Sequence, residues 1–205
     1  MGMEPGEEIT WRKAGPRRLV MAVALLCGVV LLVQWTPSAP TTAVARPDGG
    51  CPGAWLLPEE GEIGQMKQAT LCLVNGERAR RGLSVLVEDP ALEEAAIEHS
   101  IDMARRDYFE HNTPEGVQPW MRIAKTGYRA SLVGENLAWG EREKGTAGNA
   151  LQLWLDSPGH RRNMLDPRYS QIGIGIVFDA PDPNSHGAPA AVFTTTFGSA
   201  AYTTE

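Results

Sequence analysis

Two hydrophobic patterns divide the chain. Leu19 to Val33 is an unbroken apolar run, extending to Trp35 if Gln34 is tolerated, whereas beyond residue 45 apolar positions recur only at helical or strand spacing. Met66, Ala69, Leu73 and Val74 predict a helix over Gln65 to Arg80, with Gly82 as its stop. A second helix opens with Asp89 as N-cap and Pro90 at the first position, where the missing N–H does no harm, and lines Leu92, Ala96, His99 and Met103 on one face. Shorter helices are predicted over Pro119 to Lys125, over Thr146 to Leu155, and from Ser157-Pro158 to a stop at Asp166-Pro167. The period then changes. Ile172 to Phe178 and Ala191 to Phe197 alternate as strands and pair as neighbours across the Pro- and Asn-rich loop from Asp179 to Pro189. The class is α+β, with helices packed around a short sheet and no internal repeat.

The apolar run is an export segment. Arg12, Lys13, Arg17 and Arg18 precede it and a Pro/Ser/Thr-rich stretch follows, so the N-terminus stays in the cytoplasm and everything after residue 45 lies outside. Its length falls between the h-region of a signal peptide and a membrane-spanning helix. Ala43-Val44-Ala45 offers a cleavage site but lies far beyond the run, which favours an uncleaved anchor over a cleaved signal. The organisation is therefore residues 1–45 as basic segment, signal or anchor and linker, and residues 46–205 as one exported domain, secreted or tethered by that single helix.

Charge and cysteines sharpen this picture. The net charge is −6, and because the first 45 residues carry a small positive excess, the exported part is the acidic one. A phosphate-backbone partner needs a clustered positive field over the domain, so nucleic acid is excluded as a partner. Of three cysteines, Cys27 lies within the apolar run without the small preceding residue that lipidation requires. Cys51 and Cys72 remain, an even pair in an oxidising compartment, where such thiols are usually bridged.

The chemistry sits in FEHNTPEG (Phe109 to Gly116), GENLAWG (Gly134 to Gly140) and WLDSPGHRRNMLDPRYSQIGIG (Trp154 to Gly175), after LVNGERARRGL. Together these strings resemble the CAP superfamily of cysteine-rich secretory proteins, antigen 5 and pathogenesis-related proteins of group one, in its compact bacterial branch. The resemblance spans about Cys51 to Phe197, and Cys51-Pro52-Gly53 with Ala69 to Cys72 is similar to a staple seen in some bacterial members. It implies a three-layer α-β-α sandwich with a central cleft where two histidines and acidic residues converge. Carried onto this chain, the histidines fall on His111 and His160 and the first glutamate on Glu135. The second glutamate has no counterpart, Asp156 being the one carboxylate nearby.

A helix starting after Ser157 puts His160 at its third position, where the helix dipole disfavours the imidazolium and leaves the neutral, metal-ligating form. His111 and His160 are thus candidate ligands for zinc or another divalent cation, and Glu135 is either a candidate general base or a strut organising the cleft loops. Plainer readings hold for the rest. Ser157 caps its helix through its hydroxyl, His99 is a satisfied core histidine, and His186 is simply exposed. Trp139 and Trp154 pack, and Arg161 and Arg162 form a solvated face.

Three functions compete. The incomplete acid set favours an extracytoplasmic module that binds a ligand or cell-envelope partner through the cleft, with or without a metal, because a hydrolase needs both a water activator and a proton donor. The alternatives are a metal-dependent hydrolase using His111, His160 and Glu135, and a carrier of a small apolar ligand, since sterol or fatty-acid binding occurs within the family.

Overall fold

Helices arise where the apolar positions recur every three or four residues. In the computed structural model, which describes residues 50–59 and 63–199, α1 spans Ile63–Ala79, α2 Pro90–Arg106, α3 Pro119–Lys125, α4 Ala147–Asp156 and α5 Pro158–Met164. The Asp89 carboxylate accepts from the backbone N–H groups of Ala91 and Leu92, and Thr146 caps α4 by accepting from Asn149. The apolar run 19–35, Cys27 and the expected signal or anchor helix lie outside the described residues. Among those described, no helix is long and apolar enough to cross a membrane.

Four strands form one mixed sheet: β1 (Val87–Glu88), β2 (Val133–Glu141), β3 (Gln171–Val177) and β4 (Ala190–Gly198), in the order β1-β3-β4-β2. The predicted neighbours β3 and β4 are antiparallel, Ile174 opposite Thr195, and β2 runs antiparallel to β4 with Glu135 opposite Thr196. β2 is the Gly134-Glu135-Asn136 segment, which composition alone did not mark as a strand. Its polar residues mask the alternation that places Leu137 and Trp139 on one face.

The sheet is buried from both sides. On β3, Ile172, Ile174 and Ile176 join Met66, Leu73, Val74 and Trp154 of α1 and α4 in the main core. Gly173 and Gly175 point the opposite way, onto α2, and no side chain fits there: a Cβ on Gly173 would lie 2.1 Å from the Leu92 carbonyl carbon, and one on Gly175 2.3 Å from that of Ala96. Two glycines thus set how closely α2 approaches. The central strand β4 carries Thr194, Thr195 and Thr196, all fully buried, which demands partners for their hydroxyls. Thr196 donates to the Leu92 carbonyl (2.9 Å), and Ser100 Oγ lies 2.8 Å from Thr194 Oγ1 and 3.1 Å from the Gly175 carbonyl oxygen, so α2 is tied to the sheet by polar as well as steric contacts.

The disulfide joins Cys51 to Cys72 and fastens the leading segment to α1. The same segment continues onto α4, where Gly148 N–H donates to the Ala54 carbonyl (2.7 Å) and the Trp55 ring covers Gly148. On the opposite end of α1, Arg78 is fully buried, with no carboxylate bonded to it among the described residues. Its guanidinium donates to the carbonyls of Ser84 (2.8 Å), Met164 (2.9 Å), Asp166 (3.0 Å) and Tyr169 (3.1 Å), clamping the turn after α5 to α1.

Candidate functional site

Glu135 leaves the α2-facing side of β2, an edge strand, and its side chain is 2% exposed. A buried carboxylate requires charge and hydrogen-bond partners, and both oxygens have them. Oε2 accepts from Arg122 Nη2 at 2.6 Å, and Oε1 lies 2.9 Å from His111 Nδ1. Arg122, from α3, also donates to the carbonyls of His111 (2.8 Å) and Val117 (3.2 Å), fixing the loop that carries His111. The His111 ring, about half exposed, is therefore held at Nδ1 with Nε2 as its remaining nitrogen.

The other wall is α5. Asn136, pointing to the opposite face of β2 from Glu135, donates to the His160 carbonyl (2.9 Å). Asn163 donates to the Glu135 carbonyl and lies at the same distance, 3.0 Å, from Asn136 Oδ1. This network docks the short helix against the strand and sets the His160 ring 6.3 Å from that of His111, centroid to centroid, tilted by 56°. Burial, followed by the proximity of His111, lowers the pKa of His160 below its ordinary value and keeps the imidazole neutral.

The structure thus brings together His111, Glu135 and His160. It does not bring Asp156 to them. Asp156 is exposed at the end of α4 and accepts from Gln152 Nε2 (3.0 Å). Trp154 occupies the buried side of α4, its Nε1 donating to the Leu137 carbonyl (2.9 Å), and two residues further on, about 200° around a helix, the side chain faces away. Ser157 also departs from expectation: it stands at the N-cap of α5, but its hydroxyl makes no capping bond. The Ser157 carbonyl receives the Arg161 N–H (2.9 Å), the first backbone bond of the helix.

His99 is fully buried, as its helical face predicts, with Nε2 3.0 Å from the Glu110 carbonyl oxygen, but Nδ1 has no hydrogen-bond partner among the described residues, so it is satisfied at one nitrogen only. His186 is exposed, yet it lies between Asp107 (2.7 Å) and Asp179 (3.3 Å), whose carboxylates raise its pKa. Arg122, Asn136 and Asn163 escaped the sequence reading. Their side chains serve backbone, amide and carboxylate atoms elsewhere in the chain; the ENL and RRN strings of the glutamate and histidine motifs contain Asn136 and Asn163, and no motif contains Arg122.

Two imidazoles on one tetrahedral ion, at Zn–N distances of about 2.0–2.1 Å, place their ring centroids roughly 5 Å apart, so the observed pair fits after a small closure. A His111 ring anchored by a carboxylate matches the outer-shell support that metal-bound histidines have. Glu135 is committed to Arg122 and His111, and no group of three or more His, Cys, Asp or Glu suited to a metal occurs among the described residues. The chain offers two imidazoles, with the remaining coordination left to water or a ligand.

An α+β fold with two histidines and a buried glutamate meeting at a sheet edge defines a class, and comparison with known proteins identifies it. The model of the cysteine-rich secretory protein family (CAP) matches residues 71–197, and the chain belongs to that family. It is 35% identical over 105 residues to the uncharacterized protein YkwD of Bacillus subtilis (strain 168), a match covering 51% of this chain and 40% of that protein. A similar match, 33% identical, joins it to the uncharacterized membrane protein YlbC of the same organism, covering 52% of this chain and 30% of that protein. The chain therefore spans well under half the length of these relatives. Among solved structures, an extracellular protein containing a SCP domain from Bacillus anthracis str. Ames superposes with a TM-score of 0.54 at 27% identity, over 68% of this chain and 44% of that one. An outer surface protein from Borrelia burgdorferi shares the fold, with a TM-score of 0.59 at 21% identity over 69% of this chain and 97% of that one.

Proposed function

We propose that this chain is an extracytoplasmic CAP-domain protein that binds a ligand through the cleft between His111 and His160, with a divalent cation as the group the two imidazoles hold. The observation that carries this reading is the state of Glu135: both its oxygens are engaged, by Arg122 and His111, so it acts as a strut orienting His111 rather than as a base free to activate water. Asp156, the other carboxylate considered for acid chemistry, faces away. Similarity to an extracellular SCP-domain protein and to an outer surface protein, together with the basic-then-apolar leader, supports a location outside the cytoplasm.

Zinc titration of the full chain by calorimetry tests the proposal. Wild type binds one equivalent, and His111→Ala and His160→Ala each weaken binding by about tenfold or more, as expected for loss of one of two protein ligands. Equal zinc binding by wild type and both variants would overturn the cleft assignment. Turnover of a defined substrate that disappears in His111→Ala would overturn the binding-only role.

A further inference from the structure

Four arginines converge away from the cleft on a chain whose net charge is −6. Arg81 follows α1, Arg161 and Arg162 lie on α5, and Arg168 is in the turn beyond it. Together with Leu165, Asp166 and Pro167 they line a depression of about 680 Å³. Gathering like charges is unfavourable unless something neutralises them, and the chain does so only in part. Arg168 is held by Asp166, at 2.9 Å from Nε and 2.6 Å from Nη2, and Arg81 by Glu77, which Arg80 also engages. Arg161 donates to the Leu155 carbonyl (2.8 Å), which aims the guanidinium without cancelling its charge. Among the described residues no carboxylate pairs with Arg161 or Arg162.

The site is built rather than incidental. Arg161 and Arg162 stand four and three residues before Leu165, the C-cap of α5, so the three lie together at the end of that helix, while His160 and Asn163 work on the side facing β2. The rim is fixed from beneath by Arg78, which holds the carbonyls of Met164, Asp166 and Tyr169. A preformed rim lowers the ordering cost of binding.

We infer that this pocket binds a phosphate group carried on an organic substituent. All four cations are arginine and none is lysine; Arg168 and Arg81 are already paired to Asp166 and Glu77, so Arg161 and Arg162 are the ones whose planar guanidinium forks are left to pair with phosphate oxygens. The volume exceeds a bare phosphate, and Leu165 and Pro167 provide apolar contact for the substituent. The inference does not rest on the cleft reading, since His160 and Arg162 project from different sides of α5, and zinc binding and phosphate binding fail or succeed separately.

The test uses the full chain at low ionic strength, with sn-glycerol 3-phosphate and inorganic pyrophosphate followed by calorimetry, and with phosphatidylglycerol against phosphatidylcholine vesicles followed by sedimentation. Wild type is expected to bind a phosphate probe more tightly than citrate, and Arg162→Glu, an exposed position outside the Arg78 clamp, to weaken it by about tenfold or more while the far-ultraviolet circular dichroism stays unchanged. Arg162→Lys keeps the charge but loses the fork and should fall between. Binding of glycerol phosphate or pyrophosphate without Arg162-dependent vesicle association identifies a soluble phosphate ester as the source. Association with phosphatidylglycerol vesicles that Arg162→Glu abolishes identifies a lipid headgroup. Citrate binding as tight as phosphate, or phosphate and vesicle binding unaffected by Arg162→Glu, would overturn the inference.

Discussion

Replacing Arg78 by Met keeps most of the side-chain volume in a fully buried position but removes every donor of the clamp. Two of its four bonds, to Met164 and Tyr169, are buried, and the other two, to Ser84 and Asp166, are partly open to water. Each buried carbonyl left without a donor costs about 1–3 kcal/mol, whereas water replaces most of what the outer two lose. Relief from desolvating the guanidinium offsets part of this, but the carbonyls stay behind, as when one partner of a buried charged pair is deleted. The expected loss is about 3–4 kcal/mol. At an m-value of about 2 kcal/mol/M in urea the midpoint falls by roughly 1.5–2 M, read through the fluorescence of buried Trp154. Arg78→Lys keeps a charge and three donors but not the planar fork, and should lose about half as much. A midpoint shift below about 0.5 M for Arg78→Met would show that the turn holds itself without Arg78 and would refute the reasoning, including the claim that the arginine pocket has a rigid rim.

Gly175→Ala inserts a methyl against the Ala96 backbone, so α2 must lift from the sheet; urea unfolding should show a loss of about 3 kcal/mol or more, and a loss under 1 kcal/mol would mean α2 is free to shift. Glu135→Gln leaves the Arg122 charge unpaired, with 11% of its side chain exposed, and the expected cost of about 2–4 kcal/mol comes with weakened zinc binding as His111 loses its anchor; unchanged unfolding and zinc affinity would remove Glu135 from its role as strut. Burial lowers the pKa values of His99 and His160 below 6.5, so the folded state binds fewer protons than the unfolded one: their contribution is complete above about pH 6.5 and is lost as pH falls through the lowered values. Unfolding midpoints should therefore drop on acidification from about pH 7 to about pH 5, and less so in His160→Gln. The raised pKa of exposed His186 acts with the opposite sign, stabilising at low pH and fading as pH rises through its raised value, and His186→Ala should steepen the acid-side loss.

Much of this protein is dictated locally. The Asp89-Pro90 start of α2, the five helices and the change to strand alternation at Ile172 follow from backbone propensities and periodicities that act over a few residues, and the histidine and glutamate motifs carry enough unusual residues to be recognised in order. The resemblance they carry and the family match agree, and the cysteines pair as two thiols of one domain outside the cytoplasm would. Partner choice was not legible in the same way. Whether Glu135 is a base or a strut depends on Arg122, 13 residues earlier in sequence, reaching it across a loop. The orientation of Asp156 depends on which side of α4 buries Trp154, and Ser157 stands at the N-cap of α5 without its hydroxyl capping it. The Arg78 clamp spans up to 91 residues, and the four arginines meet only because α5 and the following turn are folded back against α1. A polar side chain's meaning is set by what desolvates and pairs with it, and those neighbours are assembled by tertiary packing from segments that no local pattern connects.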